Sequence, residues 1–429
     1  MKKWGVLFLL VSQFAFGQTA VDTVTFMQYN LLNYRNSTSY CTNSNNNATS
    51  KDGYMNTIVG YVLPDIIACN EIAGDGGTAA NRLLTNALNK DGRSYYKQCT
   101  YSANSNLCNM LYYNKNKFSL ANQDKIRKAA NNTTLVRQID VYTLYYNYDS
   151  DLVNGDTTFL VVYVTHLKAG STSADKVERA EMTEAVMSYH ANNYEDVNYI
   201  IAGDFNIQTS SEACYQNLIA NSNSYIQFYD PKNKAASWNN NSLYSDLHTQ
   251  STRTSSSGGC FSTGGMDDRF DFVLCGKEIL DNTRGMEYID GSYKAVGNDA
   301  LHFNKSLISP ANTSVPANVL SALYNMSDHL PVELKLGITK STAGAKKLEY
   351  ERNLVVGNPI QNVLSWKLDN GVAESLEIRN IQGKLIYSSV NQYIQGWNEI
   401  DASNWLPGTY VFNISLSDET IVRKKVVKL

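Results

Sequence analysis

The chain is 429 residues long, with 43% hydrophobic and 18% charged residues, seven cysteines and a formal net charge of −3. That length allows a large core and more than one domain, and the acidic balance excludes a protein drawn to a polyanion by its overall field, although a bound divalent cation reverses a field locally. No run beyond the first seventeen residues approaches the ~20 apolar residues of a membrane span, and the absence of any Cys-x-x-Cys pair argues against a structural zinc.

Residues 1–17 begin with Lys2 and Lys3, are mostly apolar from Val6 to Phe16 and end on Gly17. This is the layout of a secretory signal cleaved before Gln18, and its loss takes two lysines and no acid from the chain. Within a domain taken as residues 18–337, residues 22–337 alternate strand-like and helix-like segments. A first strand at 24–30 precedes an Asn-rich polar loop at 33–50. Tyr54, Ile58, Val59 and Val62 then form a helical stripe stopped by Pro64. Strands follow at 65–71, 110–113, 135–146, 158–165, 199–204, 270–275 and 330–336, and helices at 79–88, 176–194 and 214–221. Residues 232–265 are loop-rich, and the stretch between 275 and 330 looks irregular. Several strands follow one another with no helix between them. That favours a layered α/β fold with mixed or antiparallel sheets over a doubly wound parallel one.

Among the cysteines, Cys99 and Cys108 flank an Asn/Ser-rich loop and form one candidate pair, and Cys214 and Cys260 form a second. Cys69 and Cys275 lie inside apolar strands and are expected as buried free thiols. Cys41 has no evident partner. Residues 338–347 (Ser, Thr, Ala, Gly, Lys and a single large apolar residue) read as a linker. From 348 to 429 the pattern is all-β, with turn signals at Gly357-Asn358-Pro359, Gln382-Gly383-Lys384 and Pro407-Gly408, as in a small sandwich.

The chemistry-bearing residues recur in one design, an apolar run ending in carboxylate, amide or imidazole. Four runs end at Asn30, at Asn70-Glu71, at His166 and at Gly203-Asp204-Phe205-Asn206; a fifth begins at Asp268-Arg269-Phe270-Asp271, and Ser327-Asp328-His329 feeds the last strand. Groups at strand ends collect along one rim of a sheet, on a rigid scaffold. Glu71, Asp328 and the amide oxygen of Asn30 are hard donors suited to Mg²⁺, Mn²⁺ or Ca²⁺. Asp204 and Asn206, two residues apart, point the same way on an extended backbone and suit orienting a water beside a phosphoryl oxygen. Asp271 is placed to hold His329 in one tautomer, and His166 is a second imidazole at the rim. Arg253 is a candidate contact for a substrate phosphate, with a surface salt bridge as its alternative role.

These motifs, in order and spacing, resemble the endonuclease/exonuclease/phosphatase superfamily over roughly residues 22–337. The resemblance implies a four-layered α/β/β/α sandwich of the DNase I-like type. It implies divalent-metal phosphoester hydrolysis with no covalent intermediate. Glu71 is then the main metal ligand, with Asn30 near the metal or phosphate and Asp328 a further ligand. His329 is the catalytic histidine oriented by Asp271, and Asp204 and Asn206 handle water or leaving group. His166 resembles the histidine of secreted DNases and of the phospholipid and inositol-phosphate branches. Where the superfamily usually has Gln-Glu this chain has Asn70-Glu71, a change expected to leave metal binding intact. Residues from about 348 onward, with Leu406-Pro407-Gly408-Thr409-Tyr410 and the final Lys424 to Leu429, resemble the type IX secretion sorting domain of Bacteroidetes, which implies passage through that machinery to the cell surface or beyond. The expectation is therefore a secreted, monomeric, metal-dependent phosphodiesterase, Mg²⁺ first among its metals, and a nuclease acting on extracellular DNA or RNA. The same chemistry on a phospholipid, inositol phosphate or sugar phosphate is the alternative, and a non-catalytic adhesin the alternative of another class.

Overall fold

The protein was analysed as a computed structural model that describes residues 19–103, 105–147, 157–194, 196–223, 226–255, 259–340, 354–368, 372–390, 396–417 and 421–429. The signal segment and most of the linker lie outside these residues.

Among the described residues up to Lys340 there are thirteen strands: β1 (Thr19–Tyr34), β2 (Ile66–Ala73), β3 (Tyr96–Gln98), β4 (Leu107–Asn114), β5 (Phe118–Lys128), β6 (Thr134–Tyr146), β7 (Phe159–His166), β8 (Asn198–Asp204), β9 (Phe228–Tyr229), β10 (Asp271–Gly276), β11 (Met286–Tyr288), β12 (Lys294–Ala295) and β13 (Val332–Lys340). They form two sheets, one ordered β11-β13-β1-β2-β4-β3 with β12 also on β13, the other ordered β5-β6-β7-β8-β10-β9. Each sheet holds one parallel pair, β1 with β2 and β7 with β8, among antiparallel neighbours. The mixed sheets expected from helix-free strand pairs are therefore present.

The main helices are α1 (Ala48–Val62), α2 (Thr78–Leu83, continued by a π turn to Leu88), α3 (Ser173–Asn193), α4 (Ala213–Ile219) and α5 (Ala317–Met326). Caps fix where two of them start. The Asn47 side chain accepts from Ser50 N, and Thr172 and Asp175 form a capping box at α3.

Period-two alternation sorts the strands into layers. Val24 and Phe26 of β1, Ile66 and Ala68 of β2, Leu160, Val162 and Val164 of β7, Ile200 and Ala202 of β8, and Val273 and Cys275 of β10 share one core between the sheets. The intervening residues Met27, Tyr29, Ile67 and Cys69 pack outward with Met55 and Ile58 of α1 and Leu320 and Leu323 of α5. On the second sheet, Val161, Tyr163, Tyr199, Ile201, Phe272 and Leu274 pack outward with Met182 and Val186 of α3 and Leu218 of α4. Helices, sheet, sheet, helices is the four-layered sandwich. Strands buried on both faces explain why the runs read as continuously apolar.

Several elements depart from the sequence reading, the short strands β3, β9, β11 and β12 among them. Residues 317–326 form α5 where the sequence looked irregular; Val319, Leu320, Ala322, Leu323 and Met326 are its buried stripe. β5 was not anticipated, because only part of it is buried, and it is held as an edge strand by β6. β13 runs to Lys340, three residues into the segment read as linker, because Ile338, Thr339 and Lys340 pair with Asp22, Ala20 and Thr19 of β1.

The cysteine pairing is also corrected. Cys41 and Cys260 form a disulfide 219 residues apart in sequence, whereas Cys99, Cys108 and Cys214 are buried free thiols together with Cys69 and Cys275. The bridge joins the loop after β1 to the loop at 253–265, a contact between distant loops that spacing alone does not reveal.

Inside the second sheet's helical layer, the ring nitrogen Nδ1 of His190 lies 2.8 Å from the Tyr163 hydroxyl, with Tyr199 and Phe228 against the ring. Burial pushes His190 down to about 3. The unfolded chain binds this proton below about pH 6.5, and the folded one does not until about pH 3. The stability that His190 contributes is thus fully present above pH 6.5 and is lost as pH falls toward 3, on the order of 5 kcal/mol at most. A His190→Gln variant is expected to lose less stability than the parent between pH 7 and pH 4 in urea unfolding. Equal losses contradict this.

The C-terminal residues form their own unit. Its strands are β14 (Leu354–Val356), β15 (Val363–Leu368), β16 (Ala373–Asn380), β17 (Leu385–Val390), β18 (Asn398–Asp401), β19 (Gly408–Leu416) and β20 (Ile421–Lys428). Sheets β14-β15-β18 and β17-β16-β19-β20 enclose Leu354, Leu364, Trp366, Ile378, Phe412, Ile414 and Val422. It is the small β-sandwich expected.

Candidate active site

The alternation that builds the inter-sheet core also builds the site. One step beyond the last apolar inward position, each central strand changes from carbon to polar atoms. In β1 the inward series Val24, Phe26 continues as Gln28 and Asn30; in β2 it continues as Asn70; in β7 as His166 and in β8 as Asp204. β10 runs the other way and starts on Asp271. His166, Asp204 and Asp271 are register partners side by side on one rim, and Asn30 and Asn70 are partners on the facing rim.

Two backbone features aim the acids. β2 carries a bulge between Cys69 and Ile72, and Glu71 within it has φ 58°, a left-handed conformation uncommon for a non-glycine residue. That turn swings its carboxylate toward the rim. In β8, Gly203 has φ 156°, and a Cβ there would lie 1.7 Å from the carbonyl oxygen of Thr165. Only glycine lets β8 approach β7 closely enough to set Asp204 beside His166.

The amides lock the two sheets together. Asn70 accepts from Gln28 Nε2 (2.9 Å) and Asp204 N (3.1 Å), and donates to Asn109 Oδ1 (2.9 Å) and the Thr165 carbonyl (3.0 Å). Its hydrogen-bonding capacity is fully used in spanning the sheets. Asn30 Nδ2 donates to Glu71 Oε1 and to Asp204 Oδ2, both at 3.0 Å, and its Oδ1 accepts from Leu32 N. Asn33 N donates to Glu71 Oε2 (2.9 Å), and the buried Lys51 ammonium holds that turn through the carbonyls of Leu31 (2.8 Å) and Leu32 (2.6 Å). Burial pushes Lys51 down to about 7, against the opposing pull of Asp328 and Glu71.

The donor atoms of Glu71, His166 and Asp204 lie within 4.8 Å of one another. His166 Nε2 is 3.8 Å from Glu71 Oε1 and 3.5 Å from Asp204 Oδ2. Burial, then Arg137 and His329, hold His166 well below its ordinary range, so its imidazole is neutral and fit to ligate. Burial raises the Asp204 carboxyl; the charge of His329 opposes the rise, and Asp271 and Glu71 add to it. Two carboxylates and a neutral imidazole converging on one point, with a single amide between the acids, is a donor set that fits a divalent cation.

His329 behaves oppositely. Burial disfavours its charge, but Asp271 and then Asp204 outweigh burial and hold it well above the ordinary range. Nδ1 is 2.7 Å from Asp271 Oδ2, so the acid fixes the tautomer, and Nε2 faces Asp204 Oδ2 at 3.8 Å.

The remaining predicted residues sit as follows. Asn206 lies beyond the end of β8 with φ 52°, not on extended backbone as the spacing suggested; its N–H donates to Asp204 Oδ1 (3.0 Å) and its Nδ2 to the Leu167 carbonyl (3.2 Å). Asp328 accepts from Ser262 N through Oδ2 (2.7 Å), anchoring the disulfide-linked loop, and is not among the clustered donors. The Arg253 guanidinium is stacked between Phe261 and Tyr324, 4.1 and 3.9 Å from the ring centres, and donates to the Tyr324 carbonyl (2.9 Å).

Two site residues escaped the sequence reading. Arg137, near the start of β6, donates to the Leu167 carbonyl (2.5 Å) and lines a small recess with Asn109, Gln138 and His166. Gln250 sits against His329. Arg137 carried a usable signal, a cation at a strand end on the same rim; Gln250 carried none.

The chain is similar in fold to the human Nocturnin catalytic domain (16% identity, TM-score 0.45, covering 74% of this chain and 95% of that one). It is likewise similar to zebrafish (D. rerio) TDP2 solved with a single-strand DNA product (13%, 0.45, 73% and 99%) and to a mannosyl-6-phosphatase of Bacteroides thetaiotaomicron (12%, 0.44, 73% and 99%). No curated protein matches the chain. No helix among the described residues is long and apolar enough to cross a membrane. Residues 356–428 match the family described as the secretion system C-terminal sorting domain, and this module marks the chain for export to the cell surface or beyond.

Proposed function

We propose that the chain is an exported, divalent-metal-dependent phosphodiesterase, in which residues 18–337 hold the catalytic unit and residues 348–429 the sorting domain, and that it works as a monomeric nuclease on extracellular DNA or RNA. The observation that carries the chemistry is the pairing of opposites within one inter-sheet gap: a charged His329–Asp271 dyad lies beside an acidic, neutral-imidazole donor set of Glu71, Asp204 and His166.

Glu71, Asp204 and His166 would hold a divalent cation, which would supply charge neutralisation at a phosphoryl group. Asn30 keeps the two acids at a fixed separation. His329 presents Nε2–H toward a phosphoryl oxygen, and Asp271 stabilises its charge through Nδ1. Asp204, with its Oδ1 fixed by the Asn206 N–H, is the acceptor for a proton from the attacking water. An exported enzyme meets DNA and RNA as abundant phosphodiesters, which is why the nuclease reading stands first.

The substrate is tested with plasmid DNA, RNA, sphingomyelin vesicles and a hexose phosphate at equal phosphate concentration with Mg²⁺. The nuclease reading expects nucleic acid to be hydrolysed at least about tenfold faster than the others, a difference of about 1.4 kcal/mol in barrier. Faster hydrolysis of the lipid or the sugar phosphate overturns it and keeps the chemistry.

A further inference from the structure

Gln250 has no role in the reading above, yet its side chain meets the one atom of the dyad that faces substrate. Its Nε2 lies 2.6 Å from Nε2 of His329. The opposite ring nitrogen is committed to Asp271. The Nε2 atom is therefore the only ring position from which His329 can reach a phosphoryl group, and in the free protein an amide covers it. A charged His329 carries N–H at that nitrogen, so the amide caps it with its oxygen, the side-chain end being turned to suit.

The placement is built rather than incidental. Gln250 N donates to the Asp268 carbonyl (3.1 Å), and the Gln250 carbonyl accepts from Asp267 N and Asp268 N, both at 2.9 Å. On one side Thr249 accepts from Leu330 N through its carbonyl (2.7 Å) and from Asp271 N through Oγ1 (3.1 Å). On the other, Ser251 N donates to the Gly265 carbonyl (2.7 Å). Residues 249–251 are thus tied both to the segment that carries Asp271 and to the segment that carries His329. The side chain is held at a fixed offset from the dyad, and it is only partly buried.

We propose that Gln250 is a phosphate-contacting residue: its amide caps Nε2 of His329 while no phosphoryl group is bound, and it turns its NH₂ onto the phosphoryl oxygen that displaces it from that nitrogen. The exchange conserves hydrogen bonds. The phosphoryl oxygen takes the His329 N–H, and the amide, released from the ring, donates to an oxygen within its reach. No proton changes owner, and only the amide rotates. This deepens the phosphodiesterase reading by naming a further group that binds the phosphoryl oxygens, and it rests on that reading for the substrate.

The test is equilibrium binding of inorganic phosphate, with Mg²⁺ present, to the chain from residue 18 onward, followed by calorimetry. Gln250→Met keeps the bulk without the hydrogen bonds, and Gln250→Ala removes both. Each is expected to raise the phosphate Kd roughly tenfold, the loss of about 1.4 kcal/mol. Gln250→Glu keeps shape and the bond to a protonated His329 but has no N–H to give, and is expected to raise the Kd at least about 100-fold. If Gln250 merely satisfies a buried ring nitrogen, Gln250→Met and Gln250→Ala lower the melting temperature while their phosphate Kd stays within about twofold of the parent, and the proposal is overturned. A parent that binds phosphate through Gln250 but hydrolyses no phosphoester sinks the phosphodiesterase reading and leaves this contact standing. A parent that turns over normally with unchanged Gln250 variants does the reverse.

Discussion

His329→Ala is expected to lower turnover by roughly 10³-fold while the protein stays folded and still takes up its metal. The imidazole is buried, charged through Asp271 and Asp204, and aimed by a 2.7 Å bond from Nδ1, so in the proposed reading it is a preorganised donor whose ring stays fixed when charge develops on a phosphoryl oxygen. Its removal leaves Asp271 buried without that partner. Some loss of stability therefore accompanies the loss of rate, and far-ultraviolet circular dichroism separates the two. His329→Ala retaining more than a tenth of parental turnover contradicts the role assigned here.

Glu71→Gln is expected to raise the Mg²⁺ concentration needed for half-maximal activity by roughly 10²-fold, with no loss of thermal stability. The glutamine keeps the volume, and its amide oxygen can still accept from Asn30 Nδ2 or Asn33 N. What it removes is a negative charge beside Asp204, whose own carboxyl is already pushed up by burial and by its acidic neighbours. Relief of that repulsion offsets the lost bonds, so metal affinity and stability part company. Calorimetric titration with Mg²⁺ reads the first and differential scanning calorimetry the second. An unchanged Mg²⁺ requirement removes Glu71 from the ligand set.

Much of the site was legible because sheet geometry repeats every two residues. An apolar run that turns polar at Asn30, Asn70, His166 or Asp204 announces both its inward face and the rim where that face ends, and four such endings in chain order define one gap between two sheets. Asp271 at the start of β10 fits the same rule read backward along an antiparallel strand. The illegible parts depend on contacts that no local period encodes. Glu71 reaches the site through a bulge with left-handed backbone, Asp328 turns to the loop at Ser262, and Arg253 is taken up by two aromatic rings. The Cys41–Cys260 bridge joins residues 219 positions apart, and Gln250 meets His329 across 79. Helix α5 was missed for a different reason. Its apolar stripe is regular, but it has no side-chain cap and follows a long stretch without elements, so the signal stood alone.

The measurement that bears most directly on the account is release of 4-nitrophenol from bis(4-nitrophenyl) phosphate by the chain from residue 18 onward, with Mg²⁺ or Mn²⁺ and with EDTA. The account predicts metal-dependent hydrolysis that EDTA abolishes and added Mg²⁺ restores, and that His329→Ala lacks. Hydrolysis that persists undiminished in EDTA, or a folded parent inert with every divalent metal, would contradict it.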